Sequence, residues 1–119
     1  SINFEPIYVI KGIEKIILIS DACTYDFTPP KELAHITDLC IDHLGEIQGS
    51  KITLPQGAKN WMMHTGAGLP EIFTVASYNP ARAVGLVDRG EIKKGLRADL
   101  VLIDSKISVK KVIFNGSIL

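Results

Sequence analysis

An α/β architecture with a β-rich tail is what this sequence predicts, and three observations predict it. A short helical stretch leads through a tight turn into an apolar run without alternation, Lys15-Ile16-Ile17-Leu18-Ile19-Ser20. That is the pattern of a strand buried on both faces in a parallel sheet. The run closes on Ser20-Asp21, at the strand end where parallel α/β proteins gather their chemistry. After Leu86 the pattern changes to short strands and tight turns.

The elements follow in order. Residues 5–12 read as a helix, with Pro6 in its first turn, where a missing N–H costs nothing, and Gly12 at its end. Cys23 to Pro30 is polar and carries Pro29-Pro30, so it reads as a loop. Residues 31–48 fit two descriptions. Leu33, Ile36, Cys40 and Leu44 make a helical face, and Ile36–Ile41 with Glu46–Gln48 make a hairpin around Asp42-His43-Leu44-Gly45. Gly49-Ser50 reads as a turn. Pro55–Thr65 reads as a helix with Ala58, Trp61, Met62 and Thr65 on one face, broken by Gly66-Ala67-Gly68. Pro70–Tyr78 reads as a second helix, and Asn79-Pro80 as the cap and first position of a third that ends at Gly85. Ile92-Lys93-Lys94-Gly95 is a turn, Asp99–Asp104 and Val109–Phe114 are strands, and Asn115-Gly116 is a two-residue hairpin signal.

Composition narrows the functions available. Thirteen basic and thirteen acidic residues balance across 119, and no basic run occurs, so neither a nucleic-acid nor a membrane partner is expected. No signal peptide is read at the start, and the apolar runs are too short to span a bilayer. Cys23 and Cys40, without metal or redox spacing, read as reduced thiols of a cytoplasmic protein. Mean hydropathy is +0.21, and 46% of residues are hydrophobic. A domain this small has a high surface-to-volume ratio, so its apolar faces are expected to pack on the rest of a larger chain or on a second copy.

Among chemistry-bearing residues, Asp21 leads by position. His35, His43 and His64 form neither HxH nor HExxH and read as ordinary surface or interface histidines. Gly66-Ala67-Gly68 follows a helix rather than a strand, which argues against a dinucleotide loop, and Gly49-Ser50-Lys51 lacks the upstream glycine of a phosphate loop. Arg82 reads as a structural ion pair or carbonyl clamp.

Three stretches then act together. They are Ile16-Ile17-Leu18-Ile19-Ser20-Asp21-Ala22, Gly45-Glu46-Ile47-Gln48-Gly49-Ser50-Lys51-Ile52-Thr53-Leu54, and Ala76-Ser77-Tyr78-Asn79-Pro80-Ala81-Arg82 continued by Gly85-Leu86 and Ile92-Lys93-Lys94-Gly95-Leu96-Arg97-Ala98-Asp99-Leu100-Val101. The combination resembles the N-acetylglucosamine-6-phosphate deacetylase family of the amidohydrolase superfamily, and the second stretch is the discriminating one. The resemblance implies the C-terminal part of a TIM-barrel enzyme: residues 1–86 for the last barrel strand and closing helices, and 87–119 for strands of a small β-sandwich domain. It implies hydrolysis of the N-acetyl group of an amino-sugar phosphate, a small-molecule substrate, Asp21 as catalytic acid/base, and a substrate contact from the backbone N–H of Ile47. It favours the hairpin over the helix in 31–48.

The resemblance also implies a divalent metal, zinc or iron, in a full-length parent. Its glutamate and histidine ligands have no counterpart in this chain, so the segment alone is expected to bind no catalytic metal and to be inactive. The remainder of the parent chain is the expected partner, and the assembly is expected to be a homo-oligomer. Asn3 stands where the family carries an active-site histidine. Asparagine hydrogen-bonds but carries no charge, which leaves room for another N-acyl or cyclic amide as substrate. A non-catalytic association module derived from the same fold is the reading from a different class.

Overall fold

The computed structural model describes residues 4–25 and 27–119. They form two compact units, one made of the chain up to Leu18 together with Pro55–Leu119, the other of Ile19–Leu54. Asn3 lies outside the described residues.

In the first unit, α1 spans Phe4–Lys11 and stops at Gly12, whose φ of 77° is left-handed and whose N–H reaches back to the Tyr8 carbonyl at 3.2 Å. Helix α2, Leu54–Thr65, buries Ala58 and Trp61 on one face, as its apolar spacing predicts, and ends at Gly66. Ile16, Ala58, Trp61, Ala67, Ile72, Val75 and Ile107 make the core. Tyr8 packs against it, its ring edge-on to Trp61 with centroids 6.1 Å apart, and its hydroxyl donates to the Glu71 carboxylate.

Two expectations fail here for the same helical reason. Helix α3, Leu69–Phe73, runs without a break through a π turn, Thr74–Tyr78, into α4, Asn79–Ala83. Asn79 therefore does not cap a helix; its φ and ψ of −60° and −47° are helical. A proline inside a helix has no N–H to give and its ring clashes with the carbonyl four residues back. The widened π turn just before Pro80 accommodates both. Asn79 instead donates its side-chain amide to the carbonyls of Ile13 and Ile16 at 2.8 and 2.7 Å. Arg82 is the expected carbonyl clamp, donating to Leu86 and Arg89 and pairing with Glu91 at 2.8 Å.

The run Ile16–Ser20 is a further correction. It is extended and alternates, with Ile16 buried and Leu18 half-buried, while Ile17 and Ile19 stand 42% and 68% exposed. It was expected to be a strand buried on both faces, but among the described residues no strand pairs with it. The Leu18 N–H donates to the Val75 carbonyl at 2.9 Å, and the Ile16 carbonyl accepts from the Asn79 amide at 2.7 Å. One face therefore meets the core and the other stays uncovered.

The tail forms an antiparallel sheet of β3 (Leu100–Ile103), β4 (Val109–Phe114) and β5 (Ser117–Ile118) in that order. Asn115 and Gly116, at φ 50° and 81°, make the turn their dipeptide predicts. Asp104 closes the β3–β4 connection. Lys110 at 2.9 Å, with the N–H groups of Ser108 and Lys106, holds its carboxyl down to about 2.

In the second unit, Lys31–Leu33 is a single 3₁₀ turn, and β1 (Leu39–Ile41) pairs antiparallel with β2 (Ile47–Ser50). The hairpin reading of 31–48 is the observed one, with a shorter first strand, because the Ile36 N–H turns back to the Leu33 carbonyl. Gly49-Ser50 is not a turn. Both residues lie in β2, Gly49 opposite Cys40 and Ser50 opposite Leu39.

Candidate functional site

The site is built on the turn that follows the extended run. Asp21 has φ 50°, a left-handed conformation uncommon outside glycine, though aspartate tolerates it better than most residues. Strand β2 holds it there. The Ser50 N–H donates to the Asp21 carbonyl at 2.8 Å, and the Cys23 N–H donates to the Ser50 carbonyl at 3.1 Å, a parallel bridge between Ala22 and Ser50. The Ser50 hydroxyl donates to the Ser20 carbonyl. Gly49 lies flat against the turn. A Cβ there would stand 2.4 Å from the Asp21 carbonyl oxygen and 3.5 Å from both Asp21 Oδ2 and Cys23 Sγ. Only glycine permits that approach.

Beneath the turn, Cys40 is fully buried, and its thiol is 3.0 Å from the carbonyls of both Cys23 and Ser50. Burial pushes the Cys23 thiol up, and Cys40 beside it adds to the rise. Both thiols are free, and Cys23 is a neutral group rather than a nucleophile.

The hairpin loop is fixed by Asp42, 9% exposed. Its Oδ1 accepts the N–H groups of Leu44 and Glu46 at 2.9 Å each, and its Oδ2 accepts the Gln48 amide at 2.8 Å. The N–H of Glu46 above all holds the carboxyl below its usual range. A depressed carboxyl stabilises the fold above its unfolded value and ceases to do so as pH falls through the folded value. The protection of the Leu44 and Glu46 amides against hydrogen exchange is therefore expected to persist at about pH 5 and to fall as acid is added below pH 3.8. An Asp42 titration midpoint at or above 3.8 in a carboxyl NMR experiment contradicts this.

Ile47 opens β2, opposite Ile41, with its side chain half exposed, two residues before the Gly49-Ser50 lock on Asp21. The structure thus brings Asp21 and the Ile47 strand into one unit. The histidines do not join them. His35 is exposed, His43 sits in the hairpin turn edge-on to Phe27 at 6.2 Å, and His64 lies in the last turn of α2 in the other unit. Among the described residues no group of three or more His, Cys, Asp or Glu side chains could hold a metal ion, so this donor set alone does not fit one. No helix among them is long and apolar enough to cross a membrane. Sequence reasoning missed Ser50, Cys40 and Asp42 as parts of the site. The available signals were the Asp42-to-Gly45 turn spacing and the Gly49-Ser50 pair.

The model of the amidohydrolase family matches residues 11–119. The chain belongs to the amidohydrolase family. Its relatives are more particular. N-acetylglucosamine-6-phosphate deacetylase from Lysinibacillus sphaericus is 33% identical over 96% of this chain and 31% of its own length. The crystal structure of N-acetylglucosamine-6-phosphate deacetylase from Thermotoga maritima superposes with a TM-score of 0.81 at 30% identity, over 96% of this chain and 33% of that one. A mutant N-acetyl-D-glucosamine-6-phosphate deacetylase from Mycobacterium smegmatis, solved in complex with N-acetyl-D-glucosamine-6-phosphate, superposes with a TM-score of 0.73 at 26% identity, over 97% of this chain and 33% of that one. The chain spans about a third of the length of the relatives it matches.

Proposed function

We propose that the chain is the C-terminal portion of a longer metal-dependent amidohydrolase that removes the acetyl group from an amino-sugar phosphate. In this reading residues 1–86 close a (β/α)₈ barrel and 87–119 supply strands of its small β domain. The uncovered side chains of Ile17 and Ile19 then face strands of the preceding chain, and the assembled enzyme is a cytoplasmic homo-oligomer.

The observation that carries the reading is Asp21, held at φ 50° by β2 in a chain of this family. Hydrolysis of an acetamide needs one group that takes a proton from the attacking water and returns it to the departing amine. Asp21 accepts the water proton as the water oxygen bonds to the acetamide carbon. It delivers that proton to the sugar nitrogen as the C–N bond breaks, giving the amine and acetic acid, which passes its remaining proton to the amine so that acetate and an ammonium leave. The backbone N–H of Ile47 orients the sugar. Ligands on the preceding part of the parent chain would hold a zinc or iron ion in the intact enzyme, and that ion would supply polarisation of the water and the carbonyl. Asn3 contributes a neutral hydrogen bond to the substrate.

The test is acetate release by the intact, metal-loaded enzyme. N-acetylglucosamine 6-phosphate is expected to give acetate with a kcat/KM at least about tenfold above unphosphorylated N-acetylglucosamine or a cyclic amide, since a substrate without the phosphate leaves polar groups of the site unpaired. Turnover of a cyclic amide with no acetate from any acetamido sugar refutes the substrate. Absence of any amide hydrolysis favours the association module.

A further inference from the structure

We infer that Ser50 is a positioning residue for the Asp21 carboxylate, acting through the peptide that precedes Asp21 and not by touching substrate; this rests on the acid/base reading of Asp21. Ser50 grips the turn at three points. Its N–H holds the Asp21 carbonyl at 2.8 Å, its carbonyl holds the Cys23 N–H at 3.1 Å, and its hydroxyl holds the Ser20 carbonyl. The first two are main-chain bonds that any residue but proline would make at position 50. The third belongs to the serine side chain. The Ser20 carbonyl lies in the same planar peptide unit as the Asp21 nitrogen, so whatever fixes that carbonyl fixes the rotation that sets φ of Asp21. That angle, 50°, is left-handed and uncommon outside glycine. With the hydroxyl removed, the plane is free to rotate while the strand pairing stays intact. The carboxylate, whose Oδ2 now lies against Gly49, then loses its fixed direction. A general base out of place loses rate rather than binding.

A double-mutant cycle in the intact, metal-loaded enzyme tests this. Ser50→Ala is expected to lower kcat about tenfold or more while KM stays within about twofold. In the Asp21→Asn background the same change is expected to alter kcat by less than about twofold, because its effect passes through the missing carboxylate. Ser50→Thr, which keeps the hydroxyl, is expected to stay within about threefold of wild type. Ser50→Val has the shape of threonine without the hydroxyl and reads the same difference should Ser50→Ala fold poorly. A wild-type kcat in Ser50→Ala, equal losses in both backgrounds, or equal activity of the threonine and valine variants each overturns the inference. If Asp21→Asn is impaired and Ser50→Ala is not, the inference alone falls. If Asp21→Asn keeps its full kcat, the acid/base reading falls and takes this inference with it.

Discussion

Asp21→Asn in the intact enzyme is expected to lower kcat by about 10²- to 10⁴-fold, the usual worth of a general acid/base. The substitution isolates the proton. Asparagine has the shape of aspartate and is one of the few residues at ease at a φ of 50°, so the turn and its bonds to Ser50 are retained. What is lost is the ability to take up a proton and give it back. KM should change little, since Ile47 and not Asp21 is assigned the sugar contact. Steady-state acetate release and a thermal melt settle the matter, and a loss smaller than about tenfold with an unchanged melt removes Asp21 from the proton transfers.

Gly49→Ala is the second large effect, and here geometry rather than charge is changed. The added methyl would sit 2.4 Å from the Asp21 carbonyl oxygen. That oxygen is main chain and cannot swing aside, so either β2 or the Asp21 turn must move. Overpacking of this kind costs about 1–3 kcal/mol of stability. The displaced turn is the one that carries the carboxylate, so kcat should fall about tenfold or more as well. Gly68→Ala is the comparison, because its new methyl would meet nothing nearer than 3.6 Å. Wild-type kcat and melting temperature in Gly49→Ala would show that the turn is not held by close approach.

Much of this was legible in the sequence where the cause is local. Gly12 and Gly66 stop their helices, Asn115-Gly116 turns its hairpin, and the spacing of Ala58 and Trp61 buries one face of α2. Asp21 was picked out as a candidate by its place after an apolar run. The failures have long-range causes. Glycine and serine are turn formers, so Gly49-Ser50 reads as a turn until the Asp21 backbone, 28 and 29 residues away by their numbers, is seen against it. Asn before proline reads as a cap, yet the carbonyls that claim the Asn79 amide lie 66 and 63 residues away. Periodicity alone left 31–48 between helix and hairpin; only the family resemblance, through Leu39–Asp42 followed by Gly45, chose the strands. The Ile16–Ser20 run has a strand's pattern, but pattern supplies no neighbour to hydrogen-bond.

The π turn at Thr74–Tyr78 works as a phase setter. Each residue of an α-helix advances the azimuth by about 100°, so one residue more or less in that turn swings every later side chain by about that angle. Asn79 finds the Ile13 and Ile16 carbonyls only at the present phase. Shortening the turn by one residue would leave the helix intact while pointing the Asn79 amide away from both carbonyls, so the length of this segment is constrained more tightly than the identity of its exposed residues.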